Sequence, residues 1–215
     1  MPVYHQHQLV HIHIPKTAGT AVEGFFHGLG DMVWGPRSWL GQQRRDGRWW
    51  ELQHLTYREL VSMTGFQYAA FRSFAVVRNP YQRLLSDYFW HAAPPRERFA
   101  SLAEFLSQIP RDMDRRWDDA IRGADRDTAN LLIHVRPQSH YAHDALGRQL
   151  VDEVLRFEQL GEDLERLLQP HELTPGFVRP PRTRRLEDHL EPRQIERINE
   201  IYASDFERFG YEKLE

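Results

Sequence analysis

The sequence contains no cysteine, which excludes disulfides, thiolate zinc sites and a cysteine nucleophile. Lysine is almost as scarce: of 28 basic residues only Lys16 and Lys213 are lysines, so the remaining 26 are arginines. A lysine at a bend of this chain therefore departs from its default cation. No run approaches the roughly 20 apolar residues that a membrane helix needs. The opening MPVYHQHQLV has no basic segment followed by an apolar stretch, so a cytoplasmic protein without a membrane partner is expected. Charge of one sign is also missing. A formal net charge of -3 exerts no global pull on nucleic acid, so anion binding has to be local and no nucleic-acid partner is expected.

What is present suffices for one core. With 40% hydrophobic and 12% aromatic residues, 215 residues predict a single domain over 1–215. LVHIHI (9–14) predicts a strand, and GTAVEGFFHGLG (19–30) a helix ending at Gly28 or Gly30. Residues 31–50 hold four of the six tryptophans among Gly, Pro and Arg, which predicts an irregular segment over a cleft. TYRELVSMTG (56–65) opens with a capping box, Thr56 to Glu59, and predicts a short helix; SLAEFLSQI (101–109) repeats the pattern. SFAVVR (73–78) reads as a buried strand, and NPYQRLLSDYFWHA starts a helix with Pro80 in its first turn. A third buried strand is expected over 151–156 with a helix after it, and one long amphipathic helix over 192–210, with Ile195, Ile198, Ile201 and Tyr202 on one stripe. Strands alternating with helices, without internal repeats, indicate an α/β fold with a mainly parallel sheet.

A strand that runs through a Gly-containing turn into a helix presents backbone N–H groups at the positive helix end. PKTAGT (15–20) has that form, with Thr17 and Thr20 as hydroxyl donors and Lys16 as a point charge. The lysine precedes the glycine, so this is not the G-x-x-x-x-G-K-[S/T] pattern of nucleotide triphosphatases. Taken alone, the turn is either an anion site or a tight connection with a solvated lysine. FAVVRNPYQRLLSDYF (74–89) supplies a second anion signal: Arg78 ends a buried strand, where α/β sheets place ligands, and Ser86 lies two turns along the next helix.

Together, HIPKTAGT and VVRNPYQRLLSDYF resemble the sulfotransferases that use 3′-phosphoadenosine 5′-phosphosulfate (PAPS), especially carbohydrate sulfotransferases and their soluble bacterial relatives. The resemblance extends through QHLTYREL (53–60), residues 137–167 and IYASDFERFGYE (201–212). It departs at FVRPPRTRRLEDH (177–189), where relatives carry an asparagine-containing stretch. The resemblance implies a P-loop-like three-layer fold, a central mainly parallel sheet flanked by helices. It implies that Lys16, Thr17, Ala18, Gly19 and Thr20 bind the 5′-phosphosulfate and that Arg78 and Ser86 bind the 3′-phosphate. PAPS is then the co-substrate and the bisphosphate PAP the product, with no metal.

In such a transfer, a cation at the departing bridging oxygen strengthens its interaction as the bond breaks, which suits the compact ammonium of Lys16. A histidine, with an ordinary pKa near 6.5, suits deprotonation of the acceptor hydroxyl. Of the twelve, His54 is favoured because it stands in the segment resembling the family's histidine-bearing acceptor loop; its other reading is a capping or core histidine. His140 and His143 read as loop residues. His11 and His13 share a strand face, and with His5 and His7 a metal site is conceivable, but no carboxylate has suitable spacing. Trp34, Trp39, Trp49 and Trp50 fit either sugar stacking or core. Arg179, Arg182, Arg184 and Arg185 fit either an anionic partner or a solvated loop. The acceptor expected is a carbohydrate or other small molecule, and a homodimer stays open. The competing functions are a P-loop kinase-like phosphotransferase and a non-catalytic nucleotide- or glycan-binding module.

Overall fold

The computed structural model describes residues 2–31, 41–65, 67–110, 117–174, 185 and 188–215. In chain order these form β1 (Val3–Tyr4), β2 (Leu9–Ile12), α1 (Gly19–Gly28), β3 (Gln42–Arg45), β4 (Arg48–Glu51), α2 (Tyr57–Thr64), β5 (Arg72–Val77), α3 (Pro80–Ala92), α4 (Leu102–Ser107), α5 (Trp117–Gly123), α6 (Arg126–Val135), α7 (Ser139–Ala142), β6 (Glu153–Arg156), α8 (Leu160–Leu168), α9 (Pro192–Ile201) and α10 (Ala203–Phe209). Trp34, Trp39, Arg179, Arg182 and Arg184 lie outside the described residues. Among those described, no helix is long and apolar enough to cross a membrane.

The described residues group into two compact units, each drawing on separate stretches of chain. The first holds a four-stranded sheet in the order β1-β2-β5-β6. β2, β5 and β6 run parallel, with Val10 opposite Ser73, Ile12 opposite Ala75 and Val77 opposite Arg156. β1 adds an antiparallel edge. The fold is thus α/β with a mainly parallel central sheet, as expected. All four residues of β2 and the last five of β5 are buried; β5 reads as an apolar run from Phe74, while β2 carries the buried His11 within its apolar stretch. On one face Leu9, Phe74, Val76 and Leu155 pack with Val22 and Phe26 of α1 and Leu160, Leu164 and Leu167 of α8. Towards the other face, Val10 and Ser73 line a small groove with Tyr57, Leu60 and Val61 of α2. The capping box that opens α2 is present: the Thr56 hydroxyl accepts from the Glu59 N–H and Glu59 accepts from the Thr56 N–H.

The second unit is helical. Tyr81, Leu84 and Leu85 of α3 pack with Phe105, Ile121, Leu132, Ile198, Tyr202 and Phe206. The Asn79 carboxamide accepts from the Tyr81 and Gln82 N–H groups and Pro80 occupies the first helical position, so Asn-Pro starts α3 sharply.

Several expectations need correction: His140, expected in a loop, lies on α7, and the strand expected to be buried over 151–156 is the terminal strand β6, in which only Leu155 is buried. Residues 42–51, expected to be irregular, form the two-stranded β3–β4 ribbon. Asp46 and Gly47 both have positive φ, 50° and 75°, which is the backbone that two-residue hairpin turns demand. The helix expected over 192–210 is broken at Tyr202, whose φ and ψ are -110° and 25°. Its hydroxyl donates to the Val135 carbonyl at 2.9 Å, while buried Asp205 in the next turn accepts from the Gln138 and Ser139 N–H groups at 2.8 Å each. Three tertiary hydrogen bonds on buried groups outweigh the continuity of one helical turn.

Candidate functional site

The chain leaves β2 at His13 and turns through Pro15–Ala18 into α1. Lys16 and Ala18 both take the left-handed conformation, at φ 67° and 73°. Each costs a non-glycine residue roughly 1–3 kcal/mol and persists only where surroundings enforce it. Two contacts do so. The buried Thr17 hydroxyl donates to the Ile14 carbonyl at 2.9 Å, and Nη1 of Arg78 donates to the Lys16 carbonyl at 3.2 Å. The N-cap of α1 is Ala18, which offers no capping side chain, and the first turn of the helix itself contains no acidic residue.

Gly19 has a specific reason to be glycine. A Cβ at this position would overlap the imidazole of His13, which lies directly beneath the turn. His13 is buried, with Nδ1 2.6 Å from Oε1 of Glu23 on α1, close enough for charge pairing although not aligned as a hydrogen bond. We predict that Gly19→Ala lowers stability by about 1–3 kcal/mol in urea denaturation through overpacking. Adding His13→Ala should return part of that loss, because the two sites are coupled; an additive double variant would show that they are not.

His54 sits on a 3₁₀ turn, Leu52–His54, just before α2. Its Nδ1 lies 2.9 Å from the His13 carbonyl. A carbonyl only accepts, so Nδ1 carries a proton, and in the neutral ring Nε2 has the lone pair. The His54 and His13 rings meet edge to face, 4.6 Å between centroids. His54 is thus oriented by His13, the residue that follows β2 and supports the turn. Arg78, at the end of β5, is buried with its guanidinium 4.0 Å over the Phe157 ring. His11, stacked between His13 and Phe74 at 5.3 and 4.7 Å, is completely buried. Burial above all, with the neighbouring His13 adding to it, holds its pKa well below the ordinary histidine value.

The first unit therefore brings together Lys16, Thr17, Ala18, Gly19, Arg78 and His54. Thr20 is exposed on the first turn of α1. The Thr17 hydroxyl proton is committed to the turn itself, so Thr17 acts as a staple of the backbone. Ser86 belongs to the second unit, half-buried on the second turn of α3. Trp49 and Trp50 are half-buried on β4, and Trp49 packs against the helical core. Sequence reasoning did not find Glu23 or Phe157. The alternation of His11 and His13 places both rings on one strand face, but their partners come from other elements.

The first unit thus joins a strand-turn-helix connection with two left-handed residues, an arginine at the neighbouring strand end and an oriented histidine. The model of the sulfotransferase family matches residues 2–212, and the chain belongs to that family. Sulfuryl transfer is accordingly its class of chemistry. No curated protein and no solved structure matches the chain.

Proposed function

We propose that this chain transfers the sulfuryl group of PAPS to an acceptor hydroxyl, on a carbohydrate or glycosylated small molecule, by in-line displacement. The observation that carries this reading is the His54–His13 hydrogen bond: it fixes the tautomer with its lone pair on Nε2, on the residue that leads into the Lys16 turn. His54 accepts the acceptor's proton as the acceptor oxygen bonds to sulfur. The bond from sulfur to the bridging oxygen breaks, and Lys16 stabilises the charge gained by the PAP leaving group. The turn from Lys16 to Thr20 cradles the 5′ end through its backbone. The Gly19 position supports this fit, since a side chain there is excluded by His13. Arg78 is assigned to the 3′-phosphate; for Ser86 the family pattern alone supports the same assignment.

The kinase-like alternative predicts magnesium-dependent ATP binding. In a thermal-shift comparison, PAP without metal should raise the melting temperature, by about 2.7 kcal/mol of stability at 100 times its Kd, while ATP with magnesium should not. The reverse pattern would remove the PAPS assignment. Labelled PAPS with a panel of sugar and aglycone acceptors then identifies the acceptor class.

A further inference from the structure

The helical unit contains a second cluster of ionisable side chains. Asp87 and His91 stand one turn apart on α3, and His134 meets them from α6. All three are buried, at 1%, 0% and 6% exposure. Nδ1 of His134 is 2.8 Å from Oδ1 of Asp87, and Nε2 of His91 is 3.8 Å from Oδ2 of the same carboxylate. One ligand atom from each residue lies within 4.8 Å of the other two.

Half of this cluster is satisfied and half is not. His134 and Asp87 share a hydrogen bond, yet neither ring nitrogen of His91 nor Oδ2 of Asp87 has a hydrogen-bond partner among the described residues. The 3.8 Å separation is too long for a hydrogen bond between them. Buried polar atoms without partners are rare in native interiors, and a bound ion is one of the few things that resolves them. The cluster already has the form of a chelate: a carboxylate and an imidazole at i and i+4 on one helix face, with a second imidazole opposite. Bonds of about 2.0–2.2 Å put the ligand atoms of one ion about 3–4 Å apart, which the observed spacings approach.

We propose that Asp87, His91 and His134 bind one divalent transition-metal ion of the zinc type, clamping α3 to α6. Arg83, Arg96 and Arg98 also face the cluster and add positive potential. That disfavours hard ions held by charge alone, such as calcium or magnesium, and selects ions that bond strongly to imidazole. Trp90 stacks on His134 with 4.9 Å between centroids, and Arg96 lies 3.8 Å over Trp90, so the site is roofed against water. The ion's role is structural, separate from the turn at Lys16.

The test is titration of the chelator-stripped full chain with Co²⁺, followed by visible d–d absorption and thermal melting. One ion per chain should bind and raise the melting temperature. His91→Gln and Asp87→Asn should each weaken binding by at least about 100-fold, whereas His7→Gln, which removes the imidazole paired with Asp31, should leave it unchanged. Absence of stoichiometric uptake at millimolar Co²⁺ overturns the proposal, as does uptake that survives His91→Gln in a folded variant or disappears with His7→Gln. Should the variants fail to fold, X-ray absorption of the wild-type complex decides: two imidazoles and a carboxylate oxygen support it, any other protein ligand set sinks it.

Discussion

Replacing His54 by alanine is expected to lower kcat by about 10²–10⁴-fold, the usual contribution of a positioned general base. Two variants separate chemistry from support. His54→Asn places an amide N–H near the position of Nδ1, so the hydrogen bond to the His13 carbonyl can be kept while the basic Nε2 is lost. If His54 is the base, Asn and Ala are equally inactive at saturating acceptor, the melting temperature of the Asn variant stays close to that of the parent, and the acidic limb of kcat/KM disappears in both. If His54 merely holds the strand end, Asn restores activity and the pH profile keeps its shape. An active His54→Asn enzyme would move the base elsewhere. His13 is excluded as its replacement by burial beneath Gly19.

Lys16→Ala is expected to cost about 10²–10³ in kcat, comparable to removing one preorganised donor from an oxyanion site. If Lys16 meets the departing oxygen, the charge it stabilises exists mainly in the transition state, so kcat and kcat/KM for PAPS should fall together while KM changes little. Lys16 occupies the left-handed region, where alanine and lysine suffer the same steric penalty, so the substitution does not introduce backbone strain of its own. Lys16→Arg should not restore the rate, because a planar fork cannot take the place of a compact ammonium at one oxygen. A selective rise in KM with kcat preserved would instead make Lys16 an ordinary binding cation.

These expectations draw unequally on sequence and structure. The strands at 9–12 and 72–77 were legible because parallel strands covered on both faces are dominated by apolar, largely β-branched residues, here interrupted only by His11 and opened by Arg72-Ser73. The capping box at Thr56 was legible because its two partners are three residues apart. The ribbon at 42–51 carried its own signal in Asp46-Gly47, which the surrounding tryptophans and arginines obscured. The break at Tyr202 had no such local signal. The stripe Ile195, Ile198, Ile201, Tyr202 is continuous, and the interruption comes from Val135, Gln138 and Ser139, 66 or 67 residues before their partners.

For the site the division is similar. Local spacing alone determined that a lysine-bearing turn joins a buried strand to a helix, that an arginine ends a second buried strand, and that a histidine precedes a capped helix. It also marked Thr17 as a hydroxyl donor, without its target. Tertiary structure decided what each group faces: Thr17 turns inward to Ile14, Arg78 reaches the Lys16 carbonyl, and His54 takes its tautomer from His13. It also decided why residue 19 is glycine, since the ring excluding a side chain there belongs to His13, just past the strand that precedes the turn. Hydrogen-bond partners across 41 or 62 residues leave no periodicity in a single chain, because chain packing and not spacing brings them within 3 Å or so of each other.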